Sequence, residues 1–110
     1  MSRQNGIDHN VTFVNRFTLE GEPHTFEDAF TRIADFMGKR PGLISYTLSQ
    51  HADNPKRYVN IARWRSVADL RAAVGHPQFQ EHVKELRALA RSESDVYVER
   101  LGHVSQKPVE

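Results

Sequence analysis

The feature that most constrains this chain is the order in which two hydrophobic periodicities follow one another. Segments with an apolar residue at every second position predict strands, and segments with apolar residues three or four apart predict helices. The predicted strands are Val11–Leu19, Leu43–Gln50, Arg57–Trp64 and 95–101. Helical patterns follow the first and third strands. The resulting order, β-α-β-β-α-β, is that of a ferredoxin-like α+β domain.

The first helix is predicted to begin near Thr25, because Thr25 and Asp28 resemble a capping box. Its apolar stripe consists of Phe26, Phe30, Ile33 and Phe36 or Met37. Gly38 and the following Pro41-Gly42 pair predict its end.

The second helix is predicted in two pieces, because Gly75 interrupts its pattern. The first piece is Val67–Val74, which starts at Ser66 with Asp69 three residues later. Pro77 suits the first turn of the second piece. The apolar stripe of this second piece is Phe79, Val83, Leu86 and Leu89 or Ala90. The helices are expected to cover one face of the sheet.

The other face of the sheet is also predicted to carry apolar side chains. Depending on the strand register, this face carries Val14, Leu43, Val59 and Ile61. A large apolar surface left open to water favours association, so we expect a homodimer in which the two sheets meet.

Composition narrows the classes of function. The chain has 110 residues, a formal net charge of +1 and no cysteine. The basic residues form no block or stripe, so we expect no nucleic-acid partner, and the missing thiols exclude disulfides and cysteine nucleophiles. We also expect no membrane span, because no apolar run approaches the roughly 20 residues that this requires.

We predict one domain over residues 10–103, with flexible ends at 1–9 and 104–110. The polar N-terminus, MSRQNGIDHN, does not resemble a secretory signal, so we expect a cytoplasmic protein.

Three residues are candidates for chemistry because they are unusual on core-facing strand positions. Asn15 lies among apolar residues of the first strand, and Asn60 repeats this on the third strand, four residues before Trp64. A buried amide without partners costs roughly 1–3 kcal/mol. In the predicted topology the first and third strands are adjacent, so the two amides and the indole could converge beneath the helices. The alternative is that the amides bond backbone at bulges and that Trp64 is ordinary core.

We predict four further residues to contact a substrate in that space: Phe30, Tyr46, Phe79 and His82. His82 borders the apolar stripe of the last helix, where it could be a general base, a haem ligand or a structural histidine. The sequence contains no metal-ligand cluster, phosphate loop or serine nucleophile motif, so we expect no metal site.

The chain resembles the antibiotic biosynthesis monooxygenase superfamily. The resemblance rests on Phe13-Val14-Asn15-Arg16-Phe17, on Pro41-Gly42, on the run from Arg57 to Ser66 and on the run from His76 to His82. It covers about residues 10–101 and implies a dimeric α+β barrel.

In the quinone-forming branch of this superfamily, a first-strand Asn and a third-strand Asn-x-x-x-Trp serve anthrone oxidation by O2 without metal, flavin or haem. Asn15, Asn60 and Trp64 match these positions. The resemblance implies that the amides bind and polarise a polycyclic, polyketide-type substrate and that Trp64 shapes the pocket near O2. A Tyr and an Arg that some members carry are replaced here by Leu70 and Lys84.

Two other functions of this fold stay open at this point. The haem-degrading branch uses a first-strand Asn, a helix His and a helix Trp. Asn15 and His82 match the first two, but Ala72 or Ala73 stands where the Trp is expected. The other possibility is a non-oxidative polyketide cyclase, isomerase or binding protein, since one fold serves many functions.

Overall fold

A computed structural model describes residues 9–105 of the chain. Seven elements follow in order: β1 (Val11–Leu19), α1 (Pro23–Met37), β2 (Leu43–Gln50), β3 (Arg57–Trp64), α2 (Val67–Val74), α3 (Pro77–Arg87) and β4 (Ala90–Val98). The strands form one antiparallel sheet in the order β2-β3-β1-β4. The predicted α+β, ferredoxin-like class with a broken second helix is therefore confirmed.

The helices cover the sheet face predicted to be buried. One cluster joins β1 and α1 through Phe17, Phe26 and Phe30, and it includes Tyr58 of β3. A second cluster, around Trp64, Val11 and Leu70, lies beneath α2. Both clusters follow from strand alternation and helical stripes, because these periodicities place every apolar residue of a segment on one side.

Two element boundaries differ from the sequence prediction. Helix α1 begins at Pro23, and Glu22 is its N-cap without a side-chain hydrogen bond, so the capping box at Thr25 is wrong. Proline fits the first helical position because the amide that it lacks would have no partner there. The start at Ser66 is confirmed, since its hydroxyl accepts a hydrogen bond from the Asp69 amide.

The last strand begins at Ala90 rather than at residue 95, and the preceding helix ends at Arg87. Every residue of β4 after Ala90 is exposed, and residues 91–95 are all polar, so no hydrophobic alternation predicts the first half of the strand. What defines this strand is a continuous ladder to β1, from Leu19 opposite Ala90 to Val11 opposite Val98.

Leu43 lies on the helix side of the sheet and not on the open side, which corrects its predicted position. A register shift between Leu43 and Ser45 inserts one extra residue opposite β3. This bulge reverses the alternation at its site. Leu43 and Tyr46, three residues apart, therefore both face the helices.

The described residues contain no helix that is long and apolar enough to cross a membrane. The predicted flexible ends, 1–9 and 104–110, fall largely outside the described range.

Gly42 gives the first prediction on stability. Its φ is +94°, and a Cβ added there would lie 2.5 Å from the Cβ of Asp69 in α2. We expect Gly42→Ala to lower the free energy of unfolding by at least about 2 kcal/mol, from strain and steric overlap together. Urea denaturation measures this change. Gly102→Ala is the matched control, because nothing lies within 4 Å of its added Cβ. Equal stability of the two variants would contradict the prediction.

Candidate active site

A cavity lies between the sheet and the three helices, with a free volume of about 80 Å³. The sheet side is lined by Phe13, Asn15, Phe17, Leu43, Tyr46, Asn60, Ala62 and Trp64. The helix side is lined by Phe30, Ile33, Ala34, Met37, Leu70, Val74, Phe79, Val83 and Leu86. No charged side chain is among these residues, so an electrostatic interaction inside the cavity is weakly screened.

The two amides meet because their strands are paired in register. Asn15 of β1 lies directly opposite Asn60 of β3 in the antiparallel ladder. Residues in such a pair have Cα atoms about 4.5–5.5 Å apart, so both side chains leave the sheet together on the same face. The predicted adjacency of the two asparagines is therefore observed.

Three polar side-chain atoms of cavity-lining residues are buried without hydrogen-bond partners in the described chain. They are the amide oxygens of Asn15 and Asn60 and the indole nitrogen of Trp64, whose residue is only 1% exposed. Both amides lie in regular ladder positions, so the alternative in which they bond backbone at bulges is wrong. Unpaired buried polar groups are unfavourable for folding, and these three atoms are able to pair with a polar molecule in the cavity.

The structure brings six of the seven predicted site residues to this cavity. They are Asn15, Asn60, Trp64, Phe30, Tyr46 and Phe79. The residues that the sequence prediction left out are apolar wall residues such as Leu70 and Val74 of α2. Their helical stripe was visible in the sequence, but nothing in it distinguished a cavity wall from ordinary core.

His82 is the exception, since it does not line the cavity. Its ring lies against Phe36 of α1, with 5.8 Å between the ring centroids. One helical turn away, Arg32 and Glu85 form an ion pair between α1 and α3. The hydrogen bonds from Arg32 hold the pKa of the Glu85 carboxyl below its usual value. His82 thus belongs to the contact that fixes α3 over the cavity.

A polar groove lies beside the cavity, between α1 and the edge strand β2. Its polar side chains are those of Glu27, Thr31, Tyr46, Thr47, Gln50 and Tyr58. The Tyr58 hydroxyl donates a hydrogen bond to the Glu27 carboxylate and accepts one of 3.2 Å from the Gln50 amide. Burial, together with the bond to Glu27, raises the pKa of Tyr58 to about 12.

The described residues contain no group of three or more His, Cys, Asp or Glu side chains that could hold a metal ion. Within residues 9–105, the polar groups that line the cavity are two amides, an indole and a phenol. Such groups bind and orient an oxygenated organic molecule, and they stabilise negative charge on its oxygens.

Comparison with known proteins identifies the class to which this fold and site belong. Residues 11–85 match the family described as Antibiotic biosynthesis monooxygenase. The chain is a member of that family, and the predicted resemblance is confirmed.

Within the family, the chain is similar to two described enzymes. It is 43% identical over 96 residues to deoxynogalonate monooxygenase from Streptomyces nogalater, which covers 86% of this chain and 81% of that enzyme. It is 33% identical over 82 residues to tetracenomycin-F1 monooxygenase from Streptomyces glaucescens, covering 73% and 72% of the two chains. The predicted function as a monooxygenase of antibiotic biosynthesis is in agreement with both.

A solved structure gives the same assignment. SnoaB, a cofactor-independent oxygenase from Streptomyces nogalater, superposes with a TM-score of 0.83 at 41% identity, covering 86% of this chain and 96% of that one. The predicted independence of a cofactor is supported by the description of this oxygenase.

Proposed function

We propose that this protein is a cofactor-independent monooxygenase that converts an anthrone-type ring of a polycyclic, polyketide-derived substrate to a quinone with O2. The observation that carries the proposal is the set of unpartnered polar atoms of Asn15, Asn60 and Trp64 in an otherwise apolar cavity. The names of the relatives, deoxynogalonate and tetracenomycin-F1 monooxygenase, support a substrate of this class.

Asn15 and Asn60 are the proposed substrate-binding residues that activate the ring. An amide oxygen accepts a hydrogen bond from a phenol of the substrate, and the NH2 group of the same side chain donates to a keto oxygen. Donation to that oxygen stabilises the anion formed when the reacting CH2 group loses a proton. Because no charged side chain is among the described residues that line the cavity, fixed amide dipoles have a large effect there.

The anion then supplies the electrons for oxygen activation. It passes one electron to O2, and the substrate radical and superoxide combine to form a C–O bond and a peroxide. Loss of water from the peroxide leaves the new carbonyl. Over the sequence the carbon changes from CH2 to C=O, one oxygen atom enters the product and the other leaves as water. Trp64 is the proposed wall and N–H donor on the O2 side.

Phe30 and Phe79 are the proposed apolar contacts for the substrate rings, since both line the cavity from the helix side. We do not assign this role to His82, which lies against Phe36 outside the cavity. That position also disfavours the haem alternative, because an axial ligand would have to point into the cavity.

Oxygen uptake by the purified, chelator-treated protein with the anthrone dithranol tests the function. We expect uptake well above the spontaneous rate, one O2 per quinone formed, and one labelled oxygen atom in the product from 18O2. Trp64→Phe should reduce the rate. Uptake that does not exceed the spontaneous rate, or that requires added haem, would contradict the proposal. Conversion of a substrate at equal rates with and without O2 would indicate a cyclase.

We further propose that the protein is a cytoplasmic homodimer of domains spanning residues 10–103, joined through the sheet face that the helices leave open. Val14 and Ile61 are paired at the centre of this face, and Ile61 is 45% exposed in the single chain. Ion pairs flank the apolar centre, Arg16 with Asp95 at 3.7 Å and Arg63 with Glu99 at 2.7 Å. Such an apolar centre with a charged rim is typical of interfaces.

Light scattering tests the dimer. We expect twice the chain mass of 12.6 kDa at micromolar concentration. Ile61→Lys should give monomers, because the substitution would bury an unpaired charge between the two sheets. Ala72→Lys, which adds the same charge on the exposed side of α2, should remain dimeric. A wild-type protein of monomeric mass would contradict the proposal.

A further inference from the structure

Tyr46 is the only residue with an ionisable side chain among the described residues that line the cavity. The other polar groups there are the two amides and the indole. These groups form hydrogen bonds but do not release or take up protons near neutral pH. Among the described lining residues, the phenol of Tyr46 is therefore the group that can exchange a proton with a molecule in this cavity.

Tyr46 also stands at the boundary of the cavity. Its residue is 45% exposed, and Tyr46 and Phe30 are the two residues shared by the lining of the cavity and of the polar groove. Their ring centroids are 6.1 Å apart. One side of the Tyr46 side chain thus contacts the cavity and the other contacts a groove that is open to water and carries Glu27.

Anthrone oxidation in this cavity requires proton exchange. Two protons leave the reacting carbon, and two must reach the oxygen atom that departs as water. The superoxide and peroxide stages place negative charge in a cavity whose described lining carries no charged side chain. A proton donor that contacts both the cavity and water is needed there.

We propose that the Tyr46 phenol is a proton-transfer residue of the oxygenation, a role that rests on the proposed function. The phenol gives its proton to the distal oxygen of the substrate peroxide. The resulting phenolate then removes the remaining proton from the carbon while the C=O bond forms and the O–O bond breaks. This second transfer makes Tyr46 a phenol again. The O–O bond cleavage releases hydroxide. The hydroxide takes up the proton that the substrate lost to groove water in the first step, and water is formed.

Tyr58 provides a natural contrast. The Tyr58 hydroxyl donates its hydrogen bond to Glu27. Tyr58 lines the groove but does not line the cavity. The raised pKa of Tyr58 also makes it a weaker proton donor than a tyrosine with the ordinary pKa. The chain has three tyrosines, and the third, Tyr97, lies on exposed β4 away from the cavity.

Tyr46→Phe tests the proposal in the dithranol assay. This variant keeps the ring that lines the cavity and removes only the hydroxyl. We expect kcat to fall at least about 10-fold, at the lower end of the effect of general acid–base groups, with KM within about twofold of the wild-type value. Tyr97→Phe, the matched control, should keep wild-type kinetics.

A rescue experiment separates proton transfer from a structural role. In Tyr46→Ala, added phenol should restore part of the rate in proportion to its concentration, whereas toluene, of similar shape but without a hydroxyl, should not. A Tyr46→Phe variant with wild-type kcat, or equal effects of phenol and toluene, would overturn the role of Tyr46 and leave the proposed function intact. Failure of the wild-type protein itself to consume O2 in the same assay would overturn both.

Discussion

Replacing Asn60 by alanine should lower kcat for anthrone oxidation about 100-fold, which is the expected loss for one preorganised donor to a developing anion. The amide lies directly opposite Asn15 and lines the cavity. Its loss would remove half of the proposed pair that binds the substrate oxygens. Initial rates of O2 uptake and of quinone absorbance measure the effect.

The same substitution should leave the fold intact. The amide oxygen of Asn60 has no hydrogen-bond partner in the described chain, so alanine breaks no bond of the folded state at that atom. We expect the free energy of unfolding to stay within about 1 kcal/mol of the wild-type value. An asparagine with a structural role would give the opposite pattern, with stability lost and activity kept.

Asn54→Ala is the control for this comparison. Asn54 lies in the exposed turn between β2 and β3, where its side-chain oxygen accepts a hydrogen bond from the Lys56 amide. This variant should lose a little stability and no activity. Turnover by Asn60→Ala at the wild-type rate would contradict the assignment of the amide pair.

Phe26→Ala should cause a large loss of stability, about 3–5 kcal/mol. Phe26 has no exposed surface, and its ring centroid lies 5.0 Å from that of Phe17 and 4.9 Å from that of Tyr58. Truncation would remove a ring shared by α1, β1 and β3 and leave a cavity among aromatic neighbours. A domain of this size has a total stability of about 5–15 kcal/mol, so the loss is a large fraction of it.

Urea denaturation measures this loss, and Phe26→Leu is its control. Leucine keeps most of the buried apolar volume, so we expect it to cost less than about 1.5 kcal/mol. A loss below about 1 kcal/mol for the alanine variant would show that Phe26 is not central to the packing of α1 on the sheet.

The sequence alone was sufficient for the parts of the fold that bury side chains. Alternation along β1 and β3 placed Asn15, Asn60 and Trp64 on one face, and the order of elements made the two strands neighbours. These predictions depend on periodicity, which is a local property of the sequence and which the regular ladder between β1 and β3 preserves.

The features that the sequence did not predict depend on contacts between distant segments. Strand β4 is defined by its ladder to β1, since its residues after Ala90 are exposed. The side to which Leu43 points is set by a bulge that exists only in the pairing of β2 with β3. That His82 lies outside the cavity follows from the way α3 rests on Phe36 of α1.

The direct pairing of Asn15 with Asn60 has a consequence for how enzymes of this kind can change. The spacing of the two amides is fixed by the hydrogen-bond ladder of two central strands, whereas most of the opposite wall consists of apolar side chains on three helices. Substitutions such as those at Leu70, Val74 or Phe79 can alter which ring systems fit without moving the amides. Reactivity therefore depends on the sheet and substrate choice depends on the helices. A redesign of specificity would begin with the helices.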